Sequence, residues 1–361
     1  MRQIWLRIKG LWRSKWGFKL ALLYLVLLIG LVMLLPWLPL PFAPNYLDLQ
    51  HPFLAPFTSE AMAADHLLGT DGLGRDLLAN MLYGARTAFL ISLPVMLLAT
   101  TLGMALGTLA GYFGNTGLRQ PVYRVLHWVI ALPIFLYYGL HLPLKAYQQD
   151  DGFRYISFSL ALLAGMLVLL WVLFSILQRW FSTWQREIPI PLDKGVMRLT
   201  EALTSIPRFV LILVLASFIP PSLPLLSLLL VLTLWPASAR LSRAEMLRIR
   251  QLPYFEAAKS IGNRPVQLIW RHTLPNLIGP VLIAFTFGLG GLLALESTLS
   301  FLNIGVPSTL VSWGRTISGI RSNTSAWWLV ALPGGMLSLT VLALYTCSYY
   351  FTRTFGSKSE V

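Results

Sequence analysis

The sequence predicts an all-α polytopic membrane protein, and three observations carry that reading. Hydrophobic residues make up 56% of the 361 and charged residues only 12%, about half the charged fraction of a soluble domain. Mean hydropathy is +0.67. The apolar residues are gathered into runs of about 20, several interrupted by prolines, the length a helix needs to cross the hydrocarbon of a bilayer. Such runs read as membrane-spanning helices.

Eight segments qualify, at about 18–40, 86–112, 122–143, 156–179, 199–219, 222–239, 276–301 and 326–351. A basic stretch from Arg2 to Lys19 precedes the first. That run is too long for a signal-peptide core and lacks a small-x-small cleavage site, so it reads as an uncleaved span. In the second, Gly103, Gly107 and Gly111 recur every four residues. They share one face, where another helix can approach closely; static packing and subunit contact are both open. His127, His141 and two prolines dilute the third run, and the fifth holds Arg208 beside Pro207. The seventh carries Gly288, Gly290 and Gly291, with Glu296 near its outer end. A charge at mid-bilayer costs roughly 2.5–3.5 kcal/mol on insertion scales, so Arg208 and Glu296 are expected to face protein or water. They are candidates for a polar pathway lining or for hydrogen bonding between helices. The single cysteine, Cys347, lies in the last run and excludes an internal disulfide or a cysteine-based metal site.

Charge placement gives direction. With the N-terminus in the cytoplasm, 21 of the 28 Lys and Arg residues fall on the cytoplasmic side and 6 on the other, Arg208 lying within a span. This is a strong positive-inside bias, and an even number of spans puts both termini in the cytoplasm. The net charge of +14 is thereby accounted for by membrane orientation, not by a nucleic-acid footprint.

Two polar segments stand out. The first, 46–85, is expected outside the cell; Gly69, Gly72 and Gly74 supply turns around His66, Asp71 and Arg75. His66 and Asp71 alone do not make a metal site. The second is the basic stretch 240–275, with Glu256-Ala257-Ala258, Gly262, Ile269, Leu274 and Pro275. Pro253 is suited to the first turn of a short helix, Gly262 permits a sharp turn, and residues 264–271 suit a second short helix. Two short helices bent at a glycine would form a compact knob. A plain basic loop and a docking surface for a soluble protein are the two readings of the residues themselves. No phosphate-binding Gly-x4-Gly-Lys-Ser/Thr loop and no His-Glu-x-x-His pattern occurs, so no catalytic residue and no cofactor are expected.

The spacing Glu-Ala-Ala, Gly, Ile, Leu-Pro resembles the coupling loop of ABC-importer permeases. Further stretches resemble the second membrane subunit of the dipeptide/oligopeptide/nickel branch: His66-Leu67-Leu68-Gly69-Thr70-Asp71 with Gly74-Arg75-Asp76 and Tyr83-Gly84-Ala85-Arg86, Trp235-Pro236 with Ala239-Arg240, Glu296 with Leu299-Ser300-Phe301-Leu302, and Ser312-Trp313-Gly314. The resemblance covers 62–114 and 193–350. It implies a MetI-like helical bundle of six core spans, about eight with an inserted hairpin. The expected domains are 1–45 (basic N-terminus and first span), 46–85 (external loop) and 86–354 (transmembrane domain). It implies coupling through Glu256, Ala257, Ala258, Gly262, Ile269, Leu274 and Pro275, with ATP hydrolysis in separate subunits. The implied partners are a second permease, two cytoplasmic ATPases and an extracytoplasmic solute-binding protein, all at a bacterial cytoplasmic membrane. The implied cargo is peptides or similar small solutes; nickel or antimicrobial-peptide transport, and a non-transporting scaffold or sensor, are the alternatives. One departure is clear. Gly111-Tyr112-Phe113-Gly114 is separated from Asp193 and Met197-Arg198 by nearly 80 residues, an inserted pair of spans at about 116–192. Arg124, Pro133 and Phe135 recur 74 residues later as Arg198, Pro207 and Phe209, a weak internal echo. Packing on the bundle periphery is the expectation for the insert.

Overall fold

A computed structural model describes residues 15–146, 152–180, 182–217, 222–307 and 309–355. Arg2, Arg7, Lys9, Arg13 and Lys358, part of the charge asymmetry, lie outside the described residues. The helices in chain order are α1 (Trp16–Leu34), α2 (Ser59–Ala63), α3 (Leu77–Phe113), α4 (Val122–Ile134), α5 (Leu142–Ala146), α6 (Gly152–Trp180), α7 (Leu192–Thr204), α8 (Arg208–Ser217), α9 (Leu223–Arg250), α10 (Pro253–Ser260), α11 (Pro265–Gln267), α12 (Leu274–Phe301), α13 (Trp313–Ser318) and α14 (Trp328–Phe355). There are also two short strands, β1 (Arg119–Pro121) and β2 (Glu187–Pro189), and several short 3-10 and π turns. Among the described residues, seven helical stretches are long and apolar enough to cross a membrane, and an eighth candidate is α7 with α8. The fold is all-α and polytopic. Contacts group the chain into two compact units: one up to Tyr112 and from Val196 onward, the other Phe113–Gly195.

Several boundaries differ from the apolar runs, each for a local reason. α3 starts at Leu77, nine residues before its apolar run, because Asp76 acts as a cap: its Oδ2 accepts from the Ala79 N–H at 2.7 Å. α9 continues past residue 239 to Arg250, since Leu, Arg, Ala, Glu and Met are good helix formers even where the run turns polar. The expected straight span 199–219 is instead broken, α7 and α8 meeting at 77°. Pro207 sits at the break; it has no N–H, and it disfavours helical geometry at Ile206. The expected second knob helix at 264–271 is not separate. A π turn over Leu268–Thr273 joins α11 directly to α12. A second π turn, Phe135–His141, joins α4 to α5. Each ends two residues before a proline (Pro275 and Pro143), so the carbonyl that the proline ring would crowd lies within the widened turn.

The first unit is held by a glycine seam. A Cβ on Gly103 would come within 2.5 Å of the Trp235 carbonyl, one on Gly107 would run into the Ala239 carbonyl, and one on Gly111 would meet Met246 Cβ at 2.8 Å. α3 and α9 therefore touch backbone to backbone. At the far end of the seam the Arg250 guanidinium donates to the carbonyls of Gly111 and Tyr112, both at 3.0 Å, closing the C-terminal end of α3. α12 and α14 pack through the stacked rings of Phe287 and Tyr345, 4.7 Å apart, and a bond from Ser348 Oγ to the Ile283 carbonyl. α1 lies on α14, with Phe18 edge-on to Tyr350 and Phe351.

The segment before α3 is ordered by polar side chains. Thr70 Oγ1 donates to the His51 carbonyl and accepts from the Leu54 N–H, while the Thr70 carbonyl accepts from Trp328 Nε1 at 3.0 Å. Asp71 accepts from the backbone N–H groups of Leu73 and Arg75 and from Arg75 Nε. Gly74, at φ +69°, lies so close to the Asp48 carbonyl that no side chain fits. Asp48 Oδ2 bonds His51 Nδ1 at 2.8 Å.

In the second unit β1 and β2 pair antiparallel, Gln120 opposite Ile188. The Ile190 N–H donates to the Leu118 carbonyl and the Asp193 N–H to the Gly114 carbonyl, so chain entry and exit are tied together. α4 and α6 pack through His127 edge-on to Phe174, and Ser159 Oγ donates to the Tyr138 carbonyl in the π turn.

Two predictions follow from this packing. Gly107→Val is expected to destabilise by about 1–3 kcal/mol through overpacking. Gly30→Ala, whose Cβ meets nothing within 4 Å, is expected to be neutral or to stabilise by about 0.5–1 kcal/mol. Thermal unfolding in one detergent compares them; equal melting of the two variants would remove the seam from its role. The second concerns pH. The bond from His51 holds the Asp48 carboxyl below its ordinary range. A carboxylate whose folded pKa is depressed stabilises above its unfolded value, about 3.9, and loses that contribution as pH falls through the folded one. Limited proteolysis of 42–76 is therefore expected to accelerate below about pH 4, and Asp48→Asn to cleave readily already at pH 7, with a flatter acid limb.

Candidate functional site

A charged, exposed surface on the first unit surrounds α10. Pro253 occupies the first turn of this helix, where the missing N–H costs nothing. One face of the segment is anchored: Phe255, Ala258 and Leu268 are buried with Met246, Ile249 and Leu277, and Tyr112 and Met104 pack against them. The base of the knob is thus a small apolar core shared by α9, α10 and the start of α12. Above it Gly262 turns the chain at φ +88° with open space around it. The Asn263 amide donates to the Ala258 carbonyl at 3.0 Å, and the Gln267 side chain accepts from the Arg264 N–H. Tyr254 OH accepts from Asn276 Nδ2 at 3.0 Å, fixing α10 to the first turn of α12. Burial raises the Tyr254 pKa, and Arg248 opposes the shift.

The outward face is free for contact. Glu256, Ala257, Lys259, Ser260, Arg264 and Arg271 are exposed. So are three large apolar residues, Ile261 (83%), Val266 (64%) and Trp270 (68%). A cavity of about 430 Å³ opens beside α10, lined by Arg250, Phe255, Glu256, Lys259 and Ser260. Apolar residues held outward on a charged, folded protrusion are the composition of a protein-docking surface.

The sequence-derived residues fall into distinct places. Glu256 and Ala257 face outward, whereas Ala258 is part of the core beneath. Ile269 sits half-buried in the π turn, and Leu274 and Pro275 open α12. Arg208 begins α8 at the bend. Glu296 is wholly buried within α12, its Oε1 accepting from Ser300 Oγ at 2.8 Å and its Oε2 from Ser297 Oγ at 3.4 Å. Gly103, Gly107 and Gly111 form the seam that ends beside Arg250. Sequence reasoning missed Phe255 and Leu268 as anchors and Ile261, Val266 and Trp270 as surface. The available signal was their apolar character inside a polar stretch. Its division into inward and outward faces depends on the turn at Gly262.

An L-residue in the left-handed region costs about 1–2 kcal/mol. Gly262→Ala is accordingly expected to speed proteolytic cleavage of 253–273 a few-fold, and Gly262→Val more, with little change in global melting. Cleavage at the wild-type rate in both variants would show that the turn tolerates side chains.

Residues 188–358 match a family described as the inner-membrane component of binding-protein-dependent transport systems. Over 329 residues the chain is 26% identical to a Brucella suis protein named as a peptide transport system permease, covering 91% of this chain and 83% of that protein. It is 25% identical over 319 residues to an Escherichia coli protein named as a D,D-dipeptide transport system permease, covering 88% and 80%. Over 153 residues it is 36% identical to a Sinorhizobium fredii protein named as a peptide ABC transporter permease, covering 42% and 53%.

Proposed function

This chain is an ABC-importer permease of the peptide-transport group, a multi-pass inner-membrane protein that works with other components of such a system, and we propose that its Pro253–Thr273 knob is the element through which cytoplasmic ATPases drive it. The observation that carries this reading is the construction of the knob. Its inner face is fixed to α9 and α12 by Phe255, Ala258 and Leu268, while Ile261, Val266 and Trp270 are presented outward. A partner that grips the outer face displaces two spans together. Glu256 and Lys259 border the cavity beside α10 and supply charge at the rim of the contact. Ala257, exposed and small, admits close approach of a partner backbone.

On this proposal the chain hydrolyses no ATP itself. It pairs with a second, homologous permease, because one chain supplies too few helices to enclose a pathway. Two ATPases sit on the cytoplasmic side, where both termini also lie, and a solute-binding protein delivers cargo on the other face. Peptides are the cargo that the named relatives support. Closing of the ATPases then shifts the membrane part from outward-open to inward-open. Arg208 and Glu296 are proposed as pathway or interhelix polar groups. The insert at about 116–192 is proposed as an addition that leaves the downstream spans in register, since β1 and β2 return the chain to where it left.

Crosslinking tests the docking. Cys347 is buried, so a cysteine placed at Ile261 or Val266 is the reactive thiol. In the assembled transporter each is expected to crosslink to an ATPase subunit, and a cysteine at Leu67, on the 42–76 segment, is not. The double variant Glu256→Arg, Gly262→Val is expected to lower peptide uptake into proteoliposomes at least tenfold, a loss of about 1.4 kcal/mol or more of coupling. Uptake and ATPase association at the wild-type level in that variant would refute the assignment.

A further inference from the structure

A second cavity, of about 380 Å³, lies where α1, α3, α12 and α14 meet. Its walls are Ile29 of α1, Pro36 in the turn that follows it, Leu93 of α3, Leu289 of α12 and Leu344 of α14, and its one charged lining residue is Arg86 of α3. No acidic side chain lines it. Among the described residues no hydrogen bond or ion pair engages Arg86, which is exposed. An unpaired guanidinium beside hydrocarbon is costly unless it finds an anion or water.

Depth decides which anion. The cavity joins the C-terminal part of α1 to the N-terminal part of α3. The other end of α3, at Gly111 and Tyr112, meets Arg250 below the knob. Arg86 and Gly111 are 25 residues apart, roughly 37 Å at 1.5 Å per residue, somewhat more than the hydrocarbon thickness. The cavity therefore sits in the leaflet opposite the knob. Pro36 and Trp37 end the first span, and Trp37 is 78% exposed, the position and character of an interfacial tryptophan. Arg86 shares a cavity wall with Pro36 and so lies near headgroup level, with the apolar floor running inward from it.

We propose that this cavity is a phospholipid-binding site, with the lipid phosphate on the Arg86 guanidinium and one acyl chain along Ile29, Leu93, Leu289 and Leu344. Arginine suits the task because its planar fork can make two parallel bonds to phosphate oxygens. The occupant ties α1 to the core helices at a level where the protein leaves a gap. The site is independent of the knob and of the cargo.

Native mass spectrometry of the assembled transporter, titrated with long-chain phosphatidylglycerol, tests it. Wild type is expected to retain one lipid that Arg86→Gln binds about tenfold more weakly, the scale of a lost charge-assisted contact. Arg86→Lys is expected to recover much of the affinity. Ile29→Trp, which fills the cavity and keeps the cation, is expected to weaken binding comparably, and melting without added lipid checks that each variant is folded. Dihexanoyl phosphatidylglycerol should bind far more weakly than the long-chain lipid, and millimolar inorganic phosphate should not displace the latter. Undiminished lipid retention in both Arg86→Gln and Ile29→Trp overturns the proposal. Displacement by inorganic phosphate, or equal affinity for the short-chain lipid, overturns it as well by reducing the site to a simple anion contact.

Discussion

Backbone-to-backbone contact between α3 and α9 is the constraint on which the first unit rests. In lipid no hydrophobic effect drives helices together, so close packing and polar contacts must hold them. Gly103, Gly107 and Gly111 remove the side chains that would keep the axes apart. The seam then sets the position of Arg250, which reaches the last carbonyls of α3 only because α9 passes so near. From that anchored end the chain turns at Gln251 and Leu252 into α10. A displaced seam would move the base of the knob with it.

Much of this organisation is legible in the sequence because membrane and spacing signals are simple. Length and hydropathy locate the spans, since lipid admits few alternatives to an uninterrupted helix. Four-residue glycine spacing marks a packing face before the partner is known. What escapes is information held in polar residues. α3 begins at Leu77 because of Asp76, a single capping carboxylate that hydropathy does not register. The bend at Pro207 and the π turns before Pro143 and Pro275 show the same residue type with different outcomes. Sequence alone does not say whether a proline will break a helix or be absorbed by it. Neighbours supply the answer: Leu268 and Thr273, buried, hold the π turn before Pro275 against α9, whereas Pro207 lies exposed at its break.

On the proposed reading, the second unit is an addition to the membrane bundle. A pair of spans would return the chain to its starting side and keep the downstream orientation. The β1–β2 ribbon adds a local closure, with Ile190 bonded to Leu118 and Asp193 to Gly114. Side chains on α4 and α6 such as Trp128, Val129, Leu169 and Trp171 are exposed, the composition expected for surfaces facing acyl chains.

On the proposed reading, the knob must be both firm and bent, and the residues divide these tasks. Burying a side chain such as Phe255 or Leu268 contributes about 1.5–3 kcal/mol, and both are essentially removed from solvent. Gly262 contributes nothing to that core; with open space on every side, its role is purely to reverse the chain. A flexible loop would dissipate a push from a soluble partner by local rearrangement. A protrusion whose base is shared by α9, α10 and α12 cannot, because moving Phe255 without Met246 and Leu277 opens a cavity at a cost of a few kcal/mol. The cheaper response is for the spans to move with the knob. The same argument explains why Ala258, although part of the Glu-Ala-Ala signature, points inward. The signature combines an outward contact at Glu256 and Ala257 with an inward anchor one residue later, both on the eight-residue α10.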